Sequence, residues 1–492
     1  MERKDSYSHI LKYTGLFGGV QGLGILVSIL RTKLVAVILG PQGVGLISLF
    51  NSTIKLIGDG TTFGLSMSGV KAVSEAYETG DEVQLRKAIR QVRSFSLLTA
   101  LLGTVVCVAL SPLLSRYTFS WDGHIFHFIC LAPAVGLTAL MGGETAVLKG
   151  TRQLRGMAVV SIYSLLASLL LSIPIFYLFG DAGIVPSIVL VALVQMLLMV
   201  GYSFRRYPLE ISLRRHVLAS GASLLMLGIG VVLANVMNSG AELLIKSYIN
   251  NVAQIEELGL YNAGFMMTMT YAGMVFSAME TDYFPRLAGI NGVGEELNQT
   301  VNRQIEVSLL LVAPLLVGFM IGLPIIIPLL YSTRFLPAIG LVQVLILAMY
   351  LRALKLPLAY LPLAKGHPWS YLLMEGICAV TLATLTIVFF RFFGLTGAGI
   401  GILLNAVFDF FMLNIFMHYR YGYVISAAVL KYAALQLPIG LMAYALTFVD
   451  YPWVYWPVGI LLGLLSLSIS LYILHRKSRL WKALKEKMVR KA

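Results

Sequence analysis

Charge is what this sequence of 492 residues has least of. Only 12% of its residues are Asp, Glu, Lys or Arg, whereas 58% are hydrophobic, and the mean hydropathy is +0.83. Soluble globular domains are about 25% charged and about 45–50% apolar, so the composition excludes a water-soluble enzyme, a disordered tail and a nucleic-acid-binding module. The net charge of +14 fits this conclusion, because the bases stand in short clusters between long apolar runs, as in membrane proteins.

Motifs of catalysis and of disulfide frameworks are also missing. The three cysteines, Cys107, Cys130 and Cys378, lie in apolar stretches, and an odd number cannot form a complete set of disulfides. The dipeptide Gly-Lys never occurs, which excludes the phosphate loop of ATPases. His124 and His127 have no third ligand nearby that would suggest a metal site. We therefore predict that the chain is not an enzyme and holds no cofactor.

Long apolar runs fill the rest of the sequence. A membrane-spanning helix needs about 20 mostly apolar residues, and charge clusters with Gly and Pro divide the chain into fourteen such runs, which predicts an all-α polytopic membrane protein. The predicted spans are 12–38, 45–72, 92–115, 122–148, 156–179, 183–204, 216–245, 259–284, 304–331, 336–363, 370–393, 396–418, 427–449 and 453–474.

The basic residues fix the predicted orientation. With the N-terminus in the cytoplasm, most of the 37 Lys and Arg residues fall in inside loops or at span ends, and only Arg116, Arg334 and Arg391 fall in outside loops. The positive-inside rule then predicts that both termini are cytoplasmic.

An internal repeat divides these spans. Gly and basic residues that separate the spans of the first half recur about 214 positions later in the second half. Each copy contains six spans, and an even number returns the chain to the same side of the membrane, which predicts two like-oriented six-helix lobes related by a pseudo-twofold axis. The matching segments are Gly180–Gly183 with Gly394–Gly397, Arg206–Tyr207 with Arg420–Tyr421, and Lys149–Gly150 with Lys365–Gly366, the last at an offset of 216. The predicted domains are an N-lobe at 1–210, a C-lobe at 211–421, two additional helices at 422–475 and a basic amphipathic cytoplasmic tail at 476–492.

Two strings in this pattern resemble a known family. The stretch Leu39–Leu46 (LGPQGVGL) leading into Ile47–Asn51 (ISLFN), and Leu148–Arg152 (LKGTR), are similar to segments of the Wzx-type oligosaccharide flippases. These belong to the multidrug/oligosaccharidyl-lipid/polysaccharide exporter superfamily, and the resemblance covers roughly residues 8–420. It implies a bacterial or archaeal plasma membrane and a polyprenyl-pyrophosphate-linked sugar repeat unit as substrate. Many such flippases have twelve spans, so the role of the pair at 427–474 stays open.

Basic residues inside predicted spans are the first candidates for a binding site. A charge at the centre of a membrane helix costs about 2.5–3.5 kcal/mol on insertion scales, so such residues tend to face a wet cavity or a partner. Arg and Lys both bind phosphate, and we predict that these residues line a cavity for the pyrophosphate and sugars; the alternative is that each base pairs with an acid on another helix. The set is Arg31, Lys33, Lys55, Lys246, Arg352 and Lys355.

Acidic residues supply candidates for coupling or gating. Asp59 follows Lys55 by four residues, and Glu242 precedes Lys246 by four, which favours local neutralisation on one helix face. Asp409 has no such neighbour and is the best candidate for coupling to H⁺ or Na⁺. Glu144 is a gating candidate, with an inner-leaflet salt bridge as the alternative.

These expectations add up to a flippase for polysaccharide (O-antigen, lipopolysaccharide) biosynthesis in the bacterial inner membrane. Alternating access would carry the lipid-linked oligosaccharide from the cytoplasmic to the outer leaflet, driven by an ion gradient or the membrane potential. Expected partners are the substrate, membrane lipids and other polysaccharide-assembly membrane proteins. Two alternative functions stay open. A drug/cation antiporter of the same superfamily would need an acidic cavity, and a membrane glycan polymerase or ligase would turn over a lipid-linked donor.

Overall fold

A computed structural model describes residues 2–119, 123–212, 229–273, 276, 283–284, 286–290 and 292–477, and these contain no β-strand. Parts of the predicted spans 216–245 and 259–284, and nearly all of the predicted tail at 476–492, lie outside the described residues. The helices are α1 Glu2–Thr61, α2 Leu65–Glu78, α3 Glu82–Thr118, α4 Ile125–Gly150, α5 Leu154–Phe179, α6 Ile184–Arg206, α7 Ile229–Val252, α8 Ile255–Phe265, α9 Glu295–Leu330, α10 Ile339–Ala359, α11 Leu361–Ala364, α12 Pro368–Tyr421, α13 Ala427–Leu446 and α14 Pro452–Lys477.

The predicted fold class, an all-α polytopic membrane protein, is confirmed. In the described part of the chain, nine helical stretches are long and apolar enough to cross a membrane. Three of them, Leu26–Thr61, Arg155–Arg206 and Pro368–Tyr421, each overlap two adjacent predicted spans. The predicted spans 216–245 and 259–284 have no counterpart among the nine, and parts of both lie outside the described residues. The predicted span at 259–284 begins in α8 and continues into a π-helical segment, Met266–Ala272.

Two glycines of the predicted repeat share one backbone conformation. Gly180 ends α5 with φ 53° and ψ −135°, and Gly394 bends α12 with φ 57° and ψ −141°. Such positive φ values are readily adopted only by glycine. The two positions are 214 residues apart, so each copy of the repeat turns between its fifth and sixth spans by the same glycine conformation.

A second pair of turns shows the same spacing. After α4, the amides of Arg152 and Gln153 donate to the carbonyls of Lys149 and Leu148, and Arg152 has φ 57°. After α11, the amides of Gly366 and His367 donate to the carbonyls of Leu363 and Pro362, and Gly366 has φ 71°. Both are Schellman-type helix ends. The structural counterpart of Gly366 is therefore Arg152 at an offset of 214, which corrects the offset of 216 predicted from the two Lys-Gly dipeptides.

The chain forms two compact units. The first contains Met1–Gly259 and Leu330–Ser332, and the second contains Leu260–Leu329 and Thr333–Ala492. The first unit extends beyond residue 210, the predicted end of the N-lobe, because α7 packs against α1. The predicted domain boundaries stay predictions.

Small side chains bring the helices of the first unit together. Helix α4 packs against α2, α3 and α6, while α5 packs against α1 and α6. A Cβ at Gly69 of α2 would meet Val92 and Ala146 at 3.2–3.3 Å. Beneath this contact lies an apolar cluster formed by Val73, Ala88, Ile89, Val92, Ala146 and Val147.

In the second unit, polar bonds join the last two helices, α13 and α14, to each other and join α14 to α9. Gln436 of α13 donates to the Ser470 hydroxyl at 3.0 Å and accepts from Ser466 at 2.7 Å, both on α14. At one end of α14 the Tyr455 hydroxyl donates to the Ile321 carbonyl at 2.8 Å, and at the other Lys477 forms a salt bridge with Glu306. Helices α13 and α14 are therefore an integral part of this unit.

Candidate functional site

A polar cavity of about 300 Å³ lies between α1 and α4 in the first unit; we call it the α1 cavity. A Cβ built at Gly58 of α1 or Gly142 of α4 meets no atom within 4 Å, so missing side chains help to leave this space open. Helical spacing places most of its polar side chains on one face of α1. They are Asn51, Lys55, Asp59 and Thr62, joined by Ser66 of α2 and Thr138 of α4.

Lys55 is held at this cavity by a carboxylate on α7. Its Nζ donates to Glu242 Oε2 at 2.9 Å, while the buried Lys246 donates to Glu242 Oε1 and to the Ser52 hydroxyl, both at 2.8 Å. The Lys55 side chain remains 56% exposed, whereas that of Lys246 is 5% exposed. Since two ammonium groups share one carboxylate, Lys55 can turn towards an anionic ligand while Lys246 continues to compensate Glu242.

This network differs in one respect from the expected local pairing. Glu242 and Lys246 do pair along α7, as their spacing of four residues indicated. Lys55 instead pairs across helices with Glu242, although Asp59 lies one turn away on its own helix. Asp59 is half-buried and lines the α1 cavity with Lys55, so the cavity offers one cation and one anion to a ligand.

The other two predicted bases of the first unit lie elsewhere on α1. Arg31 and Lys33 are half-buried and precede the kink at Gly40, and neither lines the α1 cavity. The Arg31 Nε donates to the Ser172 hydroxyl of α5 at 3.4 Å. The structure therefore places Lys55 and Asp59 together in the cavity and Lys246 behind them, with Arg31 and Lys33 outside this group; their substrate-binding role stays a prediction.

The predicted residues of the second unit form a cluster of their own. Asp409 of α12 is 3% exposed and forms a salt bridge with Lys355 of α10. One turn away, the Arg352 guanidinium lies 5.8 Å from the centre of the Phe276 ring and 3.2 Å from the sulfur of Met269. Asp409 therefore pairs across helices with Lys355, one of the bases that the sequence assigned to the substrate.

Glu144 lies at the centre of a buried network in the first unit. Arg93 binds it in a bidentate manner, with Nε to Oε1 at 2.8 Å and Nη2 to Oε2 at 3.1 Å, and the Ser203 hydroxyl donates at 2.5 Å. The same guanidinium donates to the Pro208 and Tyr207 carbonyls at 2.7 and 3.2 Å and lies over Phe204. The geometry is that of an internal salt bridge that joins α3, α4 and α6, the alternative to gating that the sequence left open.

Sequence reasoning missed Arg93 as a member of this network. Arg93 follows Arg86, Lys87 and Arg90 at the start of the predicted span 92–115, so the sequence groups it with the bases of the preceding inside loop. Helical periodicity carried the missing signal: Ile89, Val92 and Ser96 flank Arg93 on the buried side of α3, and Arg93 itself is 3% exposed. A base within such an apolar stripe indicates a buried partner.

The fold and its buried charges define a multi-pass membrane protein, and solved structures share its fold. The lipid II flippase MurJ in an inward closed conformation matches with a TM-score of 0.73 at 14% identity, over 94% of this chain and 99% of that chain. An inward-facing multidrug resistance MATE family transporter of the MOP superfamily matches with a TM-score of 0.62 at 16% identity, over 83% and 96%. The MATE multidrug transporter DinF-BH matches with a TM-score of 0.59 at 13% identity, over 82% and 95%.

A family model identifies the chain more closely. The chain belongs to the polysaccharide biosynthesis protein family, whose model matches residues 34–340. Among curated proteins, none has a matching sequence. The matched region contains the whole α1 cavity and the Arg93–Glu144 network.

Proposed function

We propose that this protein is a flippase that moves polyprenyl-pyrophosphate-linked oligosaccharide repeat units from the cytoplasmic to the outer leaflet of the bacterial inner membrane. Both termini face the cytoplasm, and transport proceeds by alternating access during cell-surface polysaccharide (O-antigen) biosynthesis. The chain acts as a transporter without enzymatic activity. Membership of a polysaccharide biosynthesis family and the transporter fold support this proposal.

The α1 cavity is the observation that carries the proposal. Sugars and diphosphate cannot be desolvated in hydrocarbon without a large penalty, so a flippase needs polar space at membrane depth. The cavity offers Asn51, Thr62 and Thr138 as hydrogen-bonding groups for sugar hydroxyls. Lys55 adds an ammonium group that is exposed to the cavity and can bind a phosphate oxygen.

The intramembrane acids argue against a drug/cation antiporter. A cavity for cationic drugs needs carboxylates that are open to the ligand. Here Glu242 binds two lysines, Asp409 binds Lys355, and Glu144 binds Arg93. Asp59 shares its cavity with Lys55. Glu242, Asp409 and Glu144 therefore compensate the protein's own bases, and of these four acids only Asp59 is open to a ligand in the α1 cavity.

The proposal is tested by the leaflet in which the substrate collects. Deleting the gene should accumulate lipid-linked repeat units in the cytoplasmic leaflet, and wild-type protein should restore surface polysaccharide. Lys55→Ala should lower flipping at least ~10-fold, since it removes a charge-assisted bond to phosphate, and Lys55→Arg should retain most of it. The matched control is Lys431→Ala on α13, an exposed lysine outside the cavity.

Two outcomes would overturn the proposal. One is accumulation in the outer leaflet after deletion, which would place the protein after the crossing step. The other is turnover of a lipid-linked donor by the purified protein, which would favour a glycan polymerase or ligase. Full flipping by Lys55→Ala with normal protein levels would remove the α1 cavity from the mechanism.

We further propose that Asp409 couples transport to an ion gradient. Its carboxylate is buried and holds Lys355 as an internal cation, so H⁺ or Na⁺ binding at Asp409 would release that lysine. In proteoliposomes, Asp409→Asn should abolish the stimulation of flipping by an imposed pH or Na⁺ gradient while leaving slow, gradient-independent flipping. A variant that responds to both gradients like wild type would exclude Asp409 as the coupling site.

A further inference from the structure

A second, larger polar cavity lies along α2 in the first unit. It has a volume of about 720 Å³, and we call it the α2 cavity. Its lining includes Ser66, Lys71, Ser74 and Glu78 of α2, and Lys149 at the end of α4. Ser66 lines both this cavity and the α1 cavity, so the two cavities are neighbours along α2.

The walls of the α2 cavity are fixed by close helix packing. A Cβ at Gly150 would lie 2.6 Å from the Val73 Cβ and 3.1 Å from the Ser74 amide, so α4 ends in direct contact with the backbone of α2. Val73 belongs to the apolar cluster beneath the cavity and is fully buried. Lys149, the residue before Gly150, is thereby held beside α2 in a preformed site.

Both acids of the α2 cavity have a basic partner, whereas the cation Lys149 has no acidic one among the described residues. Glu78 forms a salt bridge with Arg152 at 2.6 Å, and Glu75 lies 3.9 Å from Lys71. Within the described residues, Lys149 makes no ion pair, and its side chain is exposed. With Arg152 included, three bases face two acids, so the site has one excess positive charge available to a ligand.

Arg152 holds a backbone conformation that glycine would adopt more easily. It sits at the left-handed position of the turn after α4, where the second copy of the repeat has Gly366. Residues kept in such conformations cluster at functional sites. The interaction that this arginine makes here is its salt bridge to Glu78 at the edge of the α2 cavity.

We propose that the α2 cavity is a second anion-binding site, in which Lys149 and Lys71 hold a phosphate or diphosphate group and Arg152 is a positioning residue that neutralises Glu78. The inference rests on the proposed function in one respect: the bound group is the diphosphate of the lipid-linked substrate before it reaches Lys55. The same chemistry would hold the phosphate of a membrane phospholipid, and the experiment separates these two sources.

The test is a binding titration with inorganic diphosphate. The full-length protein is reconstituted in phosphatidylcholine nanodiscs and titrated by calorimetry. Lys149→Gln and Arg152→Gly should each weaken binding by ~10-fold, the first by removing a charge-assisted bond and the second by leaving Glu78 to repel the anion. Adding Glu78→Gln to Arg152→Gly should restore binding, which a merely structural role of Arg152 would not produce. Lys431→Gln is the matched control and should bind like wild type.

Each outcome has a defined consequence. Absence of diphosphate binding by wild type, or unchanged binding by Lys149→Gln, overturns the proposal. If the double variant stays as weak as Arg152→Gly, the positioning role of Arg152 is wrong. Thermal unfolding of every variant is recorded, so that a loss of binding is not confused with a loss of fold.

Two further arms identify the source of the anion and separate this inference from the proposed function. Nanodiscs with phosphatidylglycerol should leave diphosphate binding unchanged if the site serves the substrate, whereas competition that depends on Lys149 would assign the site to phospholipid and overturn the substrate assignment. Flipping of lipid-linked repeat units is measured separately. If diphosphate binding depends on Lys149 but wild type flips no such lipid, the proposed function fails while the anion site stands.

Discussion

The turns that follow α4 and α11 occupy the same place in the two copies of the repeat, yet they differ at their central residue. Both use the same pair of backbone hydrogen bonds, 214 residues apart. The second turn has Gly366 at the left-handed position, and the first has Arg152. Duplication therefore preserved the backbone while the side chain at this point diverged.

Stability alone does not account for the arginine. A side chain in the left-handed conformation costs about 1–2 kcal/mol relative to glycine, while an exposed salt bridge such as Arg152–Glu78 contributes about 0–1 kcal/mol. Both partners are exposed, at 65% and 60%. The first unit therefore keeps a mildly unfavourable residue beside a polar cavity, which is the pattern expected of a functional position.

Breaking the Arg93–Glu144 network of the first unit should change stability most. At an offset of 214, the counterparts of Arg93 and Glu144 are Val307 and Leu358. Arg93→Ala leaves the buried Glu144 without its ion partner and should lower the free energy of unfolding by about 3–5 kcal/mol, measured by thermal unfolding in detergent. Val307→Ala, the matched control on the partly exposed side of α9, should change it by less than about 1 kcal/mol.

The double variant Arg93→Leu with Glu144→Leu separates the two reasons for such a loss. Replacing both members of a buried ion pair with apolar residues is often neutral, so the double variant should recover most of the stability that Arg93→Ala loses. A double variant as unstable as the single one would mean that the bonds from Arg93 to the Tyr207 and Pro208 carbonyls matter more than the ion pair.

A smaller loss of stability, equal in the two copies, is expected at the glycine turns between the fifth and sixth spans. Gly180→Ala and Gly394→Ala each force a side chain into a positive φ, which should cost about 1–3 kcal/mol. A Cβ at either position meets no atom within 4 Å, so the cost is conformational in both. The two thermal shifts should therefore be similar, and a large difference between them would contradict the equivalence of the two turns.

The substitution Gly366→Arg in the second unit measures how much an arginine at the left-handed position lowers stability. Gly366→Arg places a side chain at φ 71° in open space. It should destabilise the protein by about 1 kcal/mol and leave flipping unchanged, since no function is proposed for this turn. Thermal unfolding and the leaflet assay check the two halves of this expectation, and a loss of flipping would extend the proposed role of the turn to both units.

The smallest stability effect is the most informative one. Arg152→Gly should leave the free energy of unfolding unchanged or raise it by up to about 1 kcal/mol, while it lowers diphosphate binding. Arg152→Lys retains both the charge and the backbone cost and should bind diphosphate like wild type. A glycine variant that is less stable than wild type would show that the salt bridge to Glu78 exists for stability, and would remove the reason for a functional role.

Sequence alone predicted the helices and the repeat because both depend on local signals. Apolar runs and their glycine breaks mark Gly180 and Gly394 directly. Pairs on different helices gave no such signal: Lys55 and Glu242 are 187 residues apart, and spacing informs only about neighbours on the same helix. The register of the α4 turn was wrong by two residues because the match was sought between glycines, whereas the first turn uses Arg152.

The salt bridge between α14 and α9 has a consequence for the insertion of the chain into the membrane during synthesis. Glu306 is synthesised 171 residues before the lysine that neutralises it, so α9 enters the bilayer while its counterion has yet to leave the ribosome. Insertion of the last hairpin then completes the wall of the second unit and supplies that charge. A chain ending at Tyr421 should accordingly be a target for membrane quality-control proteolysis, although every residue of the α1 cavity would be present in it.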